Sequence, residues 1–233
     1  MAVTPNSNEA FLREVDEELR KDQLATFWRR WGKALIVGIV VALLVLGGVL
    51  YWRHHNRETI GREGEQLADA YASLAKDDAA GAAKPLAALG MSRSDGYRAL
   101  ARFTQADIDL QKNDFKAASA KFAAIAADGS IAPAFRDLAL LRQTAAEFDT
   151  LQPAVVVSRL RGLAQPGNAY FGSAGELVAA AYLKQGRRDL AGQLFGRVAR
   201  DETVPTTIRQ RAVQMAGVLG VDAVPANQEA KKQ

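Results

Sequence analysis

The chain has 233 residues, with 30 basic and 26 acidic side chains, a formal net charge of +4 and no cysteine. The missing cysteines exclude disulfides, thiolate metal sites and a cysteine nucleophile. The basic residues are interleaved with Asp and Glu rather than clustered, which argues against a nucleic-acid partner.

The first 33 residues predict an amphipathic helix from about Glu9. Phe11, Val15 and Leu19 recur four apart on one face, opposite Glu14, Glu17 and Glu18. Acids cluster early and bases late, with Phe27, Trp28 and Trp31 leading into the apolar run beyond Lys33. The pattern fits a helix lying on a membrane surface, or a docking helix for a partner.

Residues 34–52 contain five Leu, five Val and two Ile and no charge. At 1.5 Å per residue such a helix spans roughly 28 Å, close to a ~30 Å hydrocarbon core. Those twelve aliphatic residues supply at most about −4 to −7 kcal/mol of insertion energy. Tyr51 and Trp52 sit at one edge, Trp28 and Trp31 near the other, where interfacial rings are favoured. A buried core helix would keep a polar stripe, and this stretch has none. A cleaved signal would end in a small-x-small site, whereas the run here closes with the bulky, basic "VLYWRHH". The reading is therefore a permanent transmembrane helix in contact with membrane lipid. Five Lys and Arg lie in the fifteen residues before Ala34 and three in the fifteen after Trp52, so the N-terminus is expected in the cytoplasm. Ala34, Gly38 and Ala42 form a small-residue face suited to self-association, or reflect only the commonness of Gly and Ala in such helices.

After Trp52 the pattern is helical and alanine-rich, broken at Gly81, Gly90, Gly129, Pro133, Pro153, Pro166, Gly167, Gly186 and Pro205. "YRALA" (97–101) recurs as "FRDLA" (135–139), and "NDFKAASAKFAAI" (113–125) as "GRRDLAGQLFGRV" (186–198). Four anchors, Leu86, Phe122, Leu160 and Phe195, stand 36, 38 and 35 residues apart. A period of that length built from two helices predicts an α-solenoid, because one short helix pair cannot bury its apolar face alone. Ala118 and Ala191 are expected to let paired helices close up. The fold class is thus all-α: a single N-terminal transmembrane helix followed by a degenerate tetratricopeptide-like α-solenoid. The expected division is 1–33 cytoplasmic helix, 34–52 transmembrane helix, 53–220 repeat domain and 221–233 flexible tail.

"LQKNDFKAASAKF" and "YLKQGRRDLAGQLF" resemble tetratricopeptide-type repeats in their turn, alanine and later aromatic. The whole layout resembles the YfgM-like family of ancillary SecYEG translocon subunits, over nearly the full length. That resemblance rests on the short charged helix, on "WGKALIVGIVVALLVLGGVLYW" with Trp31-Gly32-Lys33 entering the span and Tyr51-Trp52 leaving it, and on the repeat tail. It implies a bacterial inner-membrane protein with a periplasmic repeat domain. It also implies two partners: the SecYEG translocon and a membrane-anchored periplasmic chaperone.

No constellation for catalysis or cofactor binding is evident. His54 and His55 are adjacent, about 100° apart on a helix, with no third ligand near. GxSxG, HExxH, Walker and GxGxxG motifs are absent. The expectation is a non-enzyme. First helices of such repeats line the concave side, where Arg98, Arg102, Arg136 and Arg142 form a row able to meet carboxylates of a partner. Solvation, or pairing with Asp137 and nearby acids, accounts for the same row. The functional expectation is a membrane-anchored protein-binding scaffold that raises the effective concentration of its domain at the membrane. The alternatives are an organiser of cell-envelope or division machinery, a self-assembling anchor, and a membrane-bound enzyme.

Overall fold

A computed structural model describes residues 6–223, with side chains from Trp28 onward. The side-chain pattern expected for residues 9–27 and the tail residues 224–233 lie outside the described residues. Among the described residues the chain is all helical. Its helices are α1 (Asn6–Leu74), α2 (Ala79–Leu89), α3 (Asp95–Gln111), α4 (Phe115–Ala127), α5 (Pro133–Ala146), α6 (Pro153–Leu160), α7 (Phe171–Lys184), α8 (Arg188–Arg200) and α9 (Thr206–Val218). A boundary between two compact units falls at Gly61 and Arg62.

The first unit holds the apolar stretch. Its most apolar segment buries no residue, and Leu43, Leu44, Val45 and Leu46 are 55–71 % exposed. The stretch is long and apolar enough to cross a membrane, and it is not a core helix. Trp28 lies over Gly32, where an added Cβ would come within 2.6 Å of its ring. Tyr51 and His55 stack with ring centroids 6.3 Å apart.

The second unit is a stack of helix pairs: the end of α1 with α2, then α3–α4, α5–α6 and α7–α8, with α9 closing the series. Consecutive helices pack together, and each first helix also touches the next first helix: α3 with α5, α5 with α7, α7 with α9. Among the described residues, second helices make no such contact with one another, so the first helices line the tighter, inner side of the stack. The four second-helix anchors are all buried, Leu86, Phe122 and Leu160 completely and Phe195 to 4 % exposure. Burying a side chain of that size contributes about 1.5–3 kcal/mol. Ala118 and Ala191 are fully buried at the helix–helix contacts. The core is serial, with one cluster around Leu86, a second around Phe103, Phe122 and Phe135, and a third from Leu141 to Ala223.

The turns inside the pairs share one geometry. Asp77 (φ 58°), Asn113 (φ 59°) and Gly186 (φ 73°) each adopt the left-handed conformation just past a first helix. The next N–H then donates back to the helix: Asp78 to Ser73, Asp114 to Asp109 and Arg187 to Tyr182, at 2.9–3.0 Å. This is the Schellman closure, which satisfies carbonyls left open at a helix end. Asp78 and Asp114 then cap the next helix, accepting from the N–H of Gly81 and Ala117. Gly81 therefore sits inside α2 and does not break it; an added Cβ there would lie 2.2 Å from the Asp78 carboxylate.

The third pair departs from this plan. Leu151 holds the equivalent place, nine residues before the anchor Leu160, and a bulky side chain disfavours the left-handed conformation. The chain instead runs through a looser turn, with Thr150 and Leu151 both donating to the Glu147 carbonyl, and α6 is only 8 residues long. At the far end, Gly220 (φ 78°) repeats the Schellman turn after α9. It sends Leu219 and Val221 back onto α8, where a Cβ on Gly192 would come within 2.9 Å of Val221. Ala223 is buried there as well.

Candidate protein-binding surface

Three of the four arginines expected to face a partner are bonded within the stack. Arg98 is 13 % exposed; it donates to the Ser92 carbonyl at 2.8 Å, to Asp95 at 2.7 Å and to Ser130, at the turn before α5, at 3.0 Å. Arg102 donates to the Gly90 carbonyl at 3.1 Å and to Asp128 at 2.7 Å. Arg142 pairs with Asp107 and lies 5.1 Å above the Phe122 ring. Arg136 makes no ion pair among the described residues, and its Nε is buried without a hydrogen-bond partner. Arg209 on α9 holds the matching place, 73 residues on, with the same buried Nε. Each of Arg98, Arg136 and Arg209 precedes a fully buried alanine by three residues: Ala101, Ala139 and Ala212. Sequence reading missed Arg209, although the doubled period pointed to it.

Further ion pairs tie one repeat to the next. Arg211 grips Glu176 through Nε at 3.0 Å and Nη2 at 2.7 Å, a two-bond fork across 35 residues. Lys184 reaches Asp149 at 3.1 Å and lies 4.2 Å above the Phe148 ring. The Tyr170 hydroxyl donates to the Ala134 carbonyl at 2.8 Å. Burial, and then the charge of Asp137, push the Tyr170 phenol up.

Two turns leading into first helices carry carboxyls held below their ordinary value. Asp128 accepts from the Ser130 hydroxyl at 2.5 Å and its N–H at 3.0 Å, and from Arg102, which together lower its carboxyl to about 2. Asp201 accepts from the Thr203 hydroxyl and N–H in the same way and is also lowered. The two turns are 73 residues apart, two repeats.

An opening lies where the third pair is irregular. A cleft of about 510 Å³ is lined by Phe115, Lys116 and Ser119 of α4, Ala146 of α5, Glu147, Thr150 and Leu151 of the turn, and Arg159 of α6. Burial alone would raise the Glu147 carboxyl, but hydrogen bonds from Arg159 and Gln143 hold it below its ordinary value. Among the described residues no group of three His, Cys, Asp or Glu is placed to hold a metal ion. His54 lies 3.3 Å from Glu58 on an exposed helix face.

Residues 25–216 match the model of the tetratricopeptide repeat-like domain. The chain belongs to the tetratricopeptide repeat-like family. A relative of this repeat protein is the ancillary SecYEG translocon subunit of Haemophilus influenzae (strain ATCC 51907 / DSM 11121 / KW20 / Rd), 27 % identical over 106 residues. The alignment covers 46 % of this chain and 52 % of the relative, so the chain spans about half the length of the curated relative it matches. No solved structure matches it.

Proposed function

We propose that this chain is a membrane-anchored protein-binding scaffold that works beside the secretion translocon. The observation that carries the reading is an apolar segment of α1 with no buried residue, in the same chain as a tetratricopeptide-like stack. Residues 34–52 cross the bacterial inner membrane, with Ala34, Gly38 and Ala42 in the span and Tyr51 and Trp52 at its outer edge. Residues 1–33 stay in the cytoplasm and residues 53–220 form the periplasmic repeat domain, as the bias of flanking Lys and Arg favours. Fixing the stack at the membrane raises its effective concentration near emerging chains. The name of the Haemophilus relative supports the translocon as one partner. A membrane-anchored periplasmic chaperone is the second partner in this reading, on the strength of the family resemblance. Of the arginine row, Arg136 is the member available to a partner carboxylate.

Crosslinking in native membranes followed by mass spectrometry tests this function. Recovery of translocon components supports it, and their absence from a well-crosslinked sample counts against it. A reporter that is active only outside the cytoplasm, fused after Gln233, should be active. A stable but inactive fusion overturns the topology.

A further inference from the structure

We propose that the cleft between α4, α5 and α6 is a docking site for an extended polypeptide segment that presents an apolar side chain flanked by carboxylates. The inference rests on the protein-binding reading and gives it a place on the second-helix side of the stack.

The cleft exists because the third pair lacks a residue suited to the left-handed turn. Its turn is consequently looser, and α6 is short at 8 residues. Phe115 stands in the wall with its side chain half out, at 51 % exposure, and Ala146 and Leu151 extend the apolar surface. A cleft of about 510 Å³ falls in the range that holds a side chain and its flanking backbone.

The charged residues lining the cleft are the cations Lys116 and Arg159 and the anion Glu147, a surplus of one positive charge. Neither α4 nor α6 contains an acidic residue. Glu147 is neutralised by Arg159 at 2.5 Å and bonded by Gln143 at 3.3 Å. Asp114 is committed to the α4 N-terminus and Asp149 to Lys184. Lys116 is exposed and makes no ion pair among the described residues, so it is the group that selects a carboxylate. An apolar anchor beside such a cation fits an acidic-apolar segment and repels a basic one.

The test uses the full chain in lipid nanodiscs and fluorescence anisotropy of two short labelled peptides. One carries a phenylalanine between two glutamates, the other a phenylalanine between two lysines. The acidic peptide should bind about tenfold tighter than the basic one. Phe115→Ala should weaken it by about tenfold. Lys116→Glu should reverse the preference; an acid at this first-turn position suits the helix dipole, so the fold is retained. Arg142→Met, on the inner side, should leave both affinities unchanged. Equal binding of the two peptides, a preference that survives Lys116→Glu, or a loss in Arg142→Met as large as in Phe115→Ala overturns the proposal. If these arms fail while translocon crosslinks persist in native membranes, the cleft is wrong and the scaffold reading stands.

Discussion

Arg142 on α5 reaches back one repeat to Asp107 on α3: its Nη1 donates to Oδ2 at 3.1 Å and its Nη2 lies 2.7 Å from Oδ1. The two residues are 35 apart in the chain. Both are a little over one-third exposed, so the pair is partly screened. A double-mutant cycle with Arg142→Met and Asp107→Asn, read by thermal denaturation of the full chain, should give a coupling of about 0.5–1 kcal/mol.

The same pair has a pH signature. Burial raises the Asp107 carboxyl and Arg142 opposes the rise. A raised carboxyl means that the folded chain holds this proton more tightly than the unfolded chain. Its contribution is best at low pH and turns into a penalty as pH rises through the folded value. Arg142 limits that penalty, so Arg142→Met should cost more stability near pH 7 than near pH 3. Equal losses at both would show that Asp107 is not the group affected.

Asp128 runs the other way. Its carboxyl, at about 2, lies below the ordinary value, so its contribution is present above that ordinary value and is lost as pH falls toward 2. Ser130→Ala removes the first cause of the shift and should raise the Asp128 titration, measured by carboxyl NMR. Thr203→Val should do the same for Asp201, which is held low by the Thr203 hydroxyl.

Gly186→Val should destabilise the last pair by about 1–2 kcal/mol, because a β-branched residue is strained at φ 73°. Asn113→Gly, at φ 59°, should be neutral or stabilising, since glycine adopts that conformation without strain. Thermal denaturation of both variants checks the contrast.

Gly175 on α7 lies against α8, where an added Cβ would come within 2.7 Å of Val198 Cγ2. Gly175→Ala should cost about 1–3 kcal/mol through overpacking. Val198→Ala in the same chain should recover part of that loss, which a purely conformational effect of the glycine would not allow.

The period of the stack was legible because large buried side chains recur in register. Leu86, Phe122, Leu160 and Phe195 were readable as anchors from their spacing alone, and all four are buried. The apolar stretch was legible as something other than a core helix because it has no polar stripe. The partners of Arg98, Arg102 and Arg142 were not legible. Apart from Asp95, they lie across a turn or one repeat away, and a residue 35 positions distant becomes a neighbour only once the stacking geometry is known. The cleft was hidden for a related reason: Leu151 is an ordinary residue in sequence, and its effect appears only against the left-handed Asp77, Asn113 and Gly186 of the other pairs. Gly81 misled in the opposite direction, since its smallness serves the Asp78 cap and not a break.

Gly220 and the segment it turns back onto Gly192 close the stack at its last pair. A stack of like units grows wherever its last face stays open, and an open face on one copy that fits the first unit of another leads to unlimited head-to-tail fibres. Here Leu219, Val221 and Ala223 cover part of that last face with the chain's own apolar residues. Replacing Gly192 with a larger residue would therefore uncover apolar surface on α8 as well as lower stability, and the variant should self-associate more with rising concentration than the parent chain does.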